Sequence, residues 1–386
     1  MKVLVDCHCF DYPNTEGVNT YIRGLYGAMS RMAPKNWEFF LAARSADRLH
    51  WAFEQENVHF VRLSSRGKLS RLLFEYPRII REYGIDFAHF QYNAPPLKCM
   101  MGKRASEGGR CKTVVTLHDL LFMDFPSFFP LRYRLTKAIL FSLSAWRADL
   151  LLTVSEYSRR AIHRHFHIPD KKLYVIPNAV TKDFYAIDKS AARAFVNAKG
   201  VGKYILYVSR FEPRKRQDLL LKTYLEMRLW EQGYDLVFVG RKTLDVPSFD
   251  TLIAAMPQDA RSHITICYQV SYEELKFWYG AASLFVYPAE AEGFGIPPLE
   301  AGAASVPCIC SNRTAMGDFT FFGENHIDCS DEALLSARIR GLLGIGQERE
   351  DANLDMIQKE IARSYDWDCI AIRLISFLCA SPKQII

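Results

Sequence analysis

The chain alternates between short apolar runs and longer segments whose apolar residues recur at helical spacing. Several of the short runs are apolar throughout, which is typical of parallel strands covered on both faces. The pattern predicts strands at Val3–Asp6, Phe39–Ala42, Phe87–Phe90, Thr113–Leu117, Leu150–Val154, Leu173–Ile176, Tyr204–Val208, Leu236–Val239, Ile264–Cys267, Leu284–Val286 and Cys308–Cys310. It predicts helices at Thr20–Met32, Lys68–Tyr83, Tyr157–His165, Gln217–Gln232, Tyr272–Tyr279 and Pro298–Ala304.

Strands that alternate with helices form right-handed βαβ units and doubly wound parallel sheets. The alternation breaks near Pro177–Lys203, where an Ala-rich helical stretch precedes a new strand. The predicted fold class is therefore α/β, with two Rossmann-like doubly wound domains that face each other across a cleft between the carboxyl ends of their strands. We place the domains at 1–185 and 200–365, and expect a C-terminal helix at 366–386 to cross back to the first domain. A length of 386 residues agrees with two domains.

Composition excludes other protein classes, because 49% hydrophobic and 24% charged residues are inconsistent with a disordered or collagen-like chain. The ten cysteines form no C-x-x-C pair and no zinc-ligand spacing, so we expect reduced thiols in a cytosolic protein. We find no cleavable signal pattern at the start of the sequence. The apolar stretch from Leu120 to Trp146 contains four charged residues and is not predicted to span a membrane.

Charge is distributed unevenly along the chain, although the net value is only +6. Residues 1–185 contain 27 Lys and Arg against 17 Asp and Glu, whereas the rest contain 22 against 26. The basic residues of the first half concentrate, with interleaved apolar residues, in Arg62–Arg81 and Arg132–Arg164. Such segments can dock on an anionic membrane, or they can be sheet-covering helices with solvated outer faces. Nucleic acid is the less favoured partner, because no recognised binding module is present.

The segment from Tyr287 to Glu300 concentrates residues suited to ligand binding after a predicted strand. Gly293 and Gly295 permit a tight turn and a close backbone approach, and the helix start that follows offers amides to an anion. Glu292 and Glu300 could accept hydrogen bonds from sugar or ribose hydroxyls. The alternative is an ordinary turn with one exposed and one capping glutamate.

Three further features lie after predicted strands. Arg210 and Lys215 could neutralise a departing nucleotide diphosphate, or they could belong to a basic surface loop together with Arg214 and Arg216. His118 is a candidate for contact with a substrate, with packing as the alternative, whereas a capping role is preferred for Asp119. Gly17 could allow close backbone approach to a ligand, with Asn19 or Thr20 as the helix cap; an unremarkable glycine is the alternative.

Five segments resemble, in order, those of retaining nucleotide-sugar glycosyltransferases with the GT-B fold, family 4 (group 1). Glu292–Glu300 resembles the family's Glu-x7-Glu motif, and Tyr207–Lys215 resembles the strand end that supplies an Arg and a Lys to the donor diphosphate. The remaining segments are Val154–Ser158, the interdomain signature Ile176–Phe184, and Thr116–Phe129. The last is similar to segments of mannosyltransferases in bacterial O-antigen and capsule synthesis. The resemblance covers Lys2 to about Trp367.

The resemblance implies an acceptor-binding role for the first domain and a nucleotide-sugar-binding role for the second. It implies catalytic roles for His118 and Glu292, and contacts of the ribose with Glu300. The diphosphate is expected to contact Arg210, Lys215, Gly295, Ile296 and Gly17, and the donor sugar Glu292, Gly293, Phe294 and His118. Arg214 and Arg216 are expected to face solvent or a phosphate rim. No cofactor and no metal are expected, because no Asp-x-Asp pair lies in a suitable loop and the two cations would replace the metal.

The predicted function is retaining transfer of a hexose, with mannose from GDP-mannose preferred, to a saccharide or lipid-linked acceptor in bacterial surface-polysaccharide synthesis. Donors carrying UDP and glucose, galactose or GlcNAc are the first alternative. A catalytically silent GT-B protein that binds a sugar nucleotide or a partner transferase is the second, and a GT-B epimerase has less support. We expect the protein in the cytoplasm, with peripheral contact to the inner face of the cytoplasmic membrane through its basic first domain.

Overall fold

The computed structural model describes residues 1–12, 16–47, 49, 55–96, 110–346, 348 and 352–379. Its strands are β1 (Lys2–Asp6), β2 (Glu38–Ala43), β3 (Val58–Arg62), β4 (Phe87–Gln91), β5 (Lys112–Thr116), β6 (Leu150–Thr153), β7 (Leu173–Val175), β8 (Lys203–Val208), β9 (Tyr234–Val239), β10 (Ile264–Cys267), β11 (Leu284–Tyr287), β12 (Cys308–Ser311) and β13 (His326–Ile327).

The helices follow the strands in most of the chain. They are α1 (Glu16–Met32), α2 (Lys68–Ser70), α3 (Tyr76–Tyr83), α4 (Leu121–Asp124), α5 (Leu131–Arg147), α6 (Glu156–Phe166), α7 (Lys189–Ala198), α8 (Gln217–Glu226), α9 (Pro247–Ala255), α10 (Gln258–Arg261), α11 (Tyr272–Gly280), α12 (Ile296–Ala303), α13 (Glu332–Leu343), α14 (Leu354–Ser364) and α15 (Trp367–Cys379). A π-helical turn, Arg71–Glu75, joins α2 to α3.

Two compact units divide the chain: Met1–Ala179 with Trp367–Ile386, and Val180–Asp366. The N-terminal unit has a parallel sheet in the order β3-β2-β1-β4-β5-β6-β7, and the C-terminal unit has one in the order β10-β9-β8-β11-β12-β13. In each sheet the first strand of the unit is central and the order reverses there, as in a doubly wound fold. The prediction of two Rossmann-like domains is therefore confirmed.

Every predicted strand is present, with ends displaced by no more than two residues. The pattern missed β3, a partly exposed edge strand, and β13, which has only two residues. Both lack the continuous apolar run that marks a strand covered on two faces.

The C-terminal helix α15 packs against α1 in the N-terminal unit. Gly24 of α1 makes room for the indole of Trp367, because a Cβ there would lie 2.1 Å from the Trp367 Cε2 atom. Arg31 also pairs with Asp368 at 2.9 Å. Residues 380–386 of the predicted C-terminal segment lie outside the described residues.

The cysteines within the described residues are free thiols, most of them buried, and Cys99 lies outside those residues. Burial raises the pKa of the Cys7 and Cys310 thiols well above the ordinary value, which disfavours the thiolate form. Within the described ranges, we found no helix with both the length and the apolar character needed to cross a bilayer.

Candidate active site

Lys215 and Glu292 form a buried ion pair in the C-terminal unit, with side chains that are 8% and 11% exposed. Lys215 follows β8 in a 3-10 turn, and Glu292 lies in the loop after β11. Tyr287 binds both: its hydroxyl donates to Glu292 Oε1 at 2.5 Å and accepts from Lys215 Nζ at 3.3 Å. The cation predicted for the donor diphosphate is thus neutralised by the carboxylate predicted for the donor sugar.

Arg214 belongs to the same cluster, so the expectation that it faces solvent is wrong, whereas its contact with a phosphate stays a prediction. Its guanidinium is 12% exposed, donates to the Ala291 carbonyl at 2.6 Å, and pairs with Glu212 at 2.6 Å and with Glu292 at 3.5 Å. Arg216 has a left-handed backbone conformation (φ 56°), so its side chain leaves the chain in a different direction from that of Lys215. The Arg216 side chain is 30% exposed.

Glu212 links Arg214 to Arg210, whose guanidinium lies 3.2 Å from the Glu212 carboxylate. Burial alone would raise the pKa of Glu212, but the charges of Arg214, Lys215 and Arg210 outweigh burial and lower it. The cluster therefore holds three basic side chains against two carboxyl groups, those of Glu212 and Glu292. An added phosphate group would meet partly compensated cations rather than bare ones.

A close backbone contact fixes the strand end that carries Arg210. Gly240, at φ +150° after β9, lies so close to Ser209 that a Cβ would be 1.8 Å from the Ser209 carbonyl oxygen. On the other side, the Gln217 amide donates to the Arg210 carbonyl at 2.8 Å. Only glycine fits at residue 240, so this position holds the Arg210 backbone in place.

Gly295 and Ile296 lie at the start of α12, as the sequence predicted. Gly295 has φ +99°, and a Cβ there would contact Met316 Cγ at 2.8 Å. Because Pro297 and Pro298 have no N–H group, Ile296 alone among the first three helical residues offers an amide to an anion. The start of this helix therefore offers an anion fewer backbone amides than an ordinary helix start does.

Gly293 and Phe294 are buried in the preceding loop. The Phe294 ring packs edge-on against Phe319 and Tyr365, with centroids 5.7 and 5.9 Å away. This packing ties the loop to the C-terminal unit's core.

Glu300 lies in α12, and its carboxylate accepts a hydrogen bond from the Tyr279 hydroxyl at 2.8 Å. Burial of the carboxyl group raises its pKa to about 7, against the smaller opposing effect of the Tyr279 hydrogen bond. The group is accordingly poised between its neutral and ionised forms near neutral pH. A ribose hydroxyl would supply a further hydrogen bond to the ionised form and so favour it.

His118 lies in the N-terminal unit, two residues beyond β5, and is 7% exposed. Its Nε2 is 2.8 Å from Gln91 Oε1, and its ring packs against Tyr21 and Tyr92 with centroids 5.0 and 5.2 Å away. Burial, and secondarily the nearby His89, lower the pKa of His118 to about 3. The imidazole is therefore neutral near pH 7 and can hydrogen-bond to a substrate without acting as a cationic acid.

Gly17 lies inside the first turn of α1, so the predicted loop before the helix is wrong at this position. Asn19 and Thr20 are likewise internal to α1 and do not cap it. Among the described residues, no atom lies within 4 Å of a Cβ built on Gly17, so those neighbours do not require glycine there. Asp119 does accept a hydrogen bond from the Leu121 amide at 3.1 Å, at the start of α4, in line with the preferred capping role.

Four residues that contact predicted site residues received no role from the sequence: Glu212, Tyr287, Gln91 and Tyr279. Glu212 and Tyr287 lie inside the two motif segments, where their charge or hydroxyl could have drawn attention to them. Gln91 and Tyr279 lie outside every motif, so only the structure reveals them. Among the described residues, no group of three or more His, Cys, Asp or Glu side chains is arranged to hold a metal ion.

Two family models and several known proteins match this chain. The model for Glycosyltransferase Family 4 matches residues 15–184, and that for Glycosyl transferases group 1 matches residues 188–355. The O-antigen chain mannosyltransferase B of Escherichia coli is 27% identical, over 95% of this chain and 97% of its own. A GDP-mannose-dependent phosphatidylinositol monomannoside mannosyltransferase of Mycobacterium tuberculosis is 25% identical, over 78% and 77%. HepE of Anabaena, solved with UDP-glucose, has a TM-score of 0.72 at 16% identity, over 98% and 99%.

The fold and these matches define a glycosyltransferase of the GT-B class. The chain belongs to glycosyltransferase family 4, whose N-terminal and group 1 C-terminal models together match most of its length.

Proposed function

We propose that the chain transfers mannose from GDP-mannose, with retention of configuration, to a saccharide or lipid-linked acceptor in bacterial surface-polysaccharide synthesis. The observation that carries the proposal is the similarity to the O-antigen mannosyltransferase along almost the whole chain. A transferase is favoured over a catalytically silent binding protein because all four charged motif residues are present: Arg210, Lys215, Glu292 and Glu300.

In this mechanism the bond between the sugar C1 and the donor phosphate breaks, and a bond between C1 and an acceptor oxygen forms on the same face. The acceptor proton passes to the departing phosphate, so no enzyme base is required. Arg210 and Lys215 stabilise the charge that develops on the diphosphate, with the Ile296 amide as a further donor. These groups take the role that a metal ion has in other transferases.

Displacement of an internal ion pair is part of the proposed donor binding. When the diphosphate reaches Lys215, the Glu292 carboxylate is released from it and becomes available to the sugar hydroxyls. We propose that Glu300 binds the ribose and that neutral His118 holds a hydroxyl of the transferred sugar. The roles of Gly293, Phe294 and Gly17 in donor binding remain part of this proposal.

A donor panel tests the proposal. The protein is incubated with GDP-mannose, UDP-glucose, UDP-galactose and UDP-GlcNAc in the presence of a lipid-linked acceptor, and nucleotide release and product are measured. We expect turnover with GDP-mannose, and an α-linked product by NMR since the donor is α-linked. Turnover with a UDP-sugar alone would favour the alternative donor, for which the likeness to HepE is the supporting observation. Tight nucleotide binding without turnover would favour a silent protein.

We also propose peripheral contact with an anionic membrane through α5. The outward stripe of this helix is apolar, although it faces solvent in the N-terminal unit; it comprises Leu131, Leu135, Ile139, Leu143 and Trp146. The helix carries basic residues and no acidic residue, which favours an anionic surface. Co-sedimentation with vesicles that contain phosphatidylglycerol should fall at least fivefold in a Leu135→Ser/Ile139→Ser variant, and equal sedimentation would contradict the contact.

A further inference from the structure

A pocket of about 710 Å³ lies at the carboxyl edge of the N-terminal sheet. Three consecutive strand ends build it: Asp11 follows β1, Arg44 follows β2, and Arg62 ends β3. Ser64 and Arg66 complete the wall on the chain that leaves β3. Carboxyl edges of parallel strands are where open α/β sheets bind ligands.

The pocket is cationic, since three arginines, Arg44, Arg62 and Arg66, line it together with one acidic residue, Asp11. Asp11 accepts a hydrogen bond from the Arg44 backbone amide at 3.3 Å. Within the part of the chain that the structure describes, none of the three guanidinium groups has an ion-pair or hydrogen-bond partner. Three forked donors around one cavity suit a phosphate or diphosphate group, which they can bind in bidentate fashion.

Two buried charged side chains hold the loop that carries Arg66. Glu75, 5% exposed, accepts hydrogen bonds from the Ser64 and Ser65 amides at 2.6 and 3.1 Å. Arg71, 4% exposed, donates to the Ser65 and Arg66 carbonyls at 3.4 and 3.1 Å. Both lie in the π-helical turn, a local irregularity that is frequent at functional sites. Two buried charges therefore anchor this loop, although Ser64 and Arg66 are themselves exposed.

From this pocket we infer a binding site for the phosphate or diphosphate group of the saccharide acceptor. The inference rests on the proposed transferase function. In the sheet, β5, which precedes His118, lies three strands from β2, which corresponds to about 14 Å along the edge. A ligand that reached both places would be an acceptor with a saccharide between its phosphate and its reactive end, not a simple monosaccharide.

Calorimetry on the full chain tests the site without need of turnover. Inorganic diphosphate is titrated into the native protein, into single Arg44→Gln, Arg62→Gln and Arg66→Gln variants, and into the triple variant. Arg78→Gln is the matched control, because it removes the same charge from an exposed residue of α3 outside the pocket. We expect two binding events in the native protein, about tenfold weakening of one event in each single variant, and its loss in the triple variant. GDP affinity should change less than twofold. If the triple variant binds diphosphate with the same affinity and number of events as Arg78→Gln, the inferred site does not exist.

Steady-state kinetics identify the ligand's source. With an acceptor that carries a diphosphate, the Arg62→Gln variant should have an acceptor KM about tenfold higher than the native protein and an unchanged kcat. With the same saccharide lacking phosphate, the variant and the native protein should have the same KM. A short water-soluble acceptor diphosphate and a long-chain one in phosphatidylglycerol vesicles should be affected equally. An effect confined to vesicles would assign the arginines to the bilayer and overturn the inference. If the native protein transfers no sugar to any acceptor, the proposed function fails. The calorimetric result still decides whether the pocket binds diphosphate.

Discussion

At the residue scale, the predicted donor site is charge-compensated by its own carboxylates. Lys215 is held by Glu292 and Tyr287, and Arg210 by Glu212. Removing one partner of a buried pair leaves the other charge uncompensated, which typically costs 3–5 kcal/mol. Substitutions in this cluster therefore affect stability as well as ligand binding, and alanine is a poor choice for testing it.

Glu292→Gln should separate donor binding from transfer. The amide keeps the shape of the side chain but frees Lys215 from its partner, so GDP should bind about tenfold more tightly. Transfer should fall about 100-fold because the sugar loses a carboxylate contact. Binding by calorimetry and turnover by nucleotide release measure the two effects. The control is Glu290→Gln in the same loop, because the Glu290 carboxylate comes no closer than 4.0 Å to Arg216. This variant should change neither GDP binding nor transfer.

Glu300→Gln should alter the pH dependence of stability. The folded-state pKa of about 7 lies above the ordinary value of 4.5, so the folded protein binds this proton more tightly than the unfolded chain does. The native protein therefore loses stability as pH rises from about 4.5 through 7, and glutamine removes that loss. We expect the variant to be more stable by up to about 3 kcal/mol at pH 8, and unchanged near pH 4.5, by urea denaturation. Equal stability at pH 8 would contradict the shifted pKa.

At the element scale, glycines at two places in α1 have opposite consequences. Gly24 faces the indole of Trp367, whereas no atom of the described residues lies within 4 Å of a Cβ built on Gly17. The added methyl group of Gly24→Ala should displace Trp367 and α15 and destabilise the N-terminal unit by about 1–3 kcal/mol. Gly17→Ala, the matched control, should stabilise the helix by up to about 1 kcal/mol. Thermal unfolding measures both, and a Gly24→Ala variant as stable as Gly17→Ala would disprove the close contact.

At the scale of the whole molecule, the two units should respond oppositely to pH. Burial lowers the pKa of His89 and of His118 to about 3, below the ordinary 6.5, so the unfolded chain binds more protons there. The N-terminal unit should accordingly lose stability as pH falls below 6.5, by at most about 1.4 kcal/mol per histidine for each pH unit. The C-terminal unit, through Glu300, should gain stability over the same fall to about 4.5, and His326, whose pKa burial lowers, should offset part of that gain.

Hydrogen exchange at pH 5 and pH 7 distinguishes the two units. Slow amides of β4 and β5 should exchange with a lower opening free energy at pH 5, and those of β8 and β11 with a higher one. His89→Gln should reduce the response of the N-terminal unit by about half. A parallel response in both units would show that other groups dominate.

The apolar runs by themselves determined eleven of the thirteen described strands and their division into two sheets, because a parallel strand covered on both faces needs a continuous apolar sequence. The Glu-x7-Glu segment and the Arg210–Lys215 spacing likewise supplied the main charged residues of the proposed donor site, and their roles there stay predictions. The sequence did not predict the edge strand β3, since half-exposed strands lack a continuous apolar run. It also did not predict the first turn of α1, because Gly17 is a weak helix former.

Only the tertiary structure decided which charges meet. Arg214 is an inward-facing member of the cluster because the left-handed Arg216 ends its turn and because the loop after β11 brings Ala291 and Glu292 beside it. The Arg44, Arg62 and Arg66 pocket arises in the same way, from strands that are neighbours in the sheet though separated in sequence. Spacing along the chain encodes local conformation, whereas pairing between distant charges depends on strand order and register, which no single segment contains.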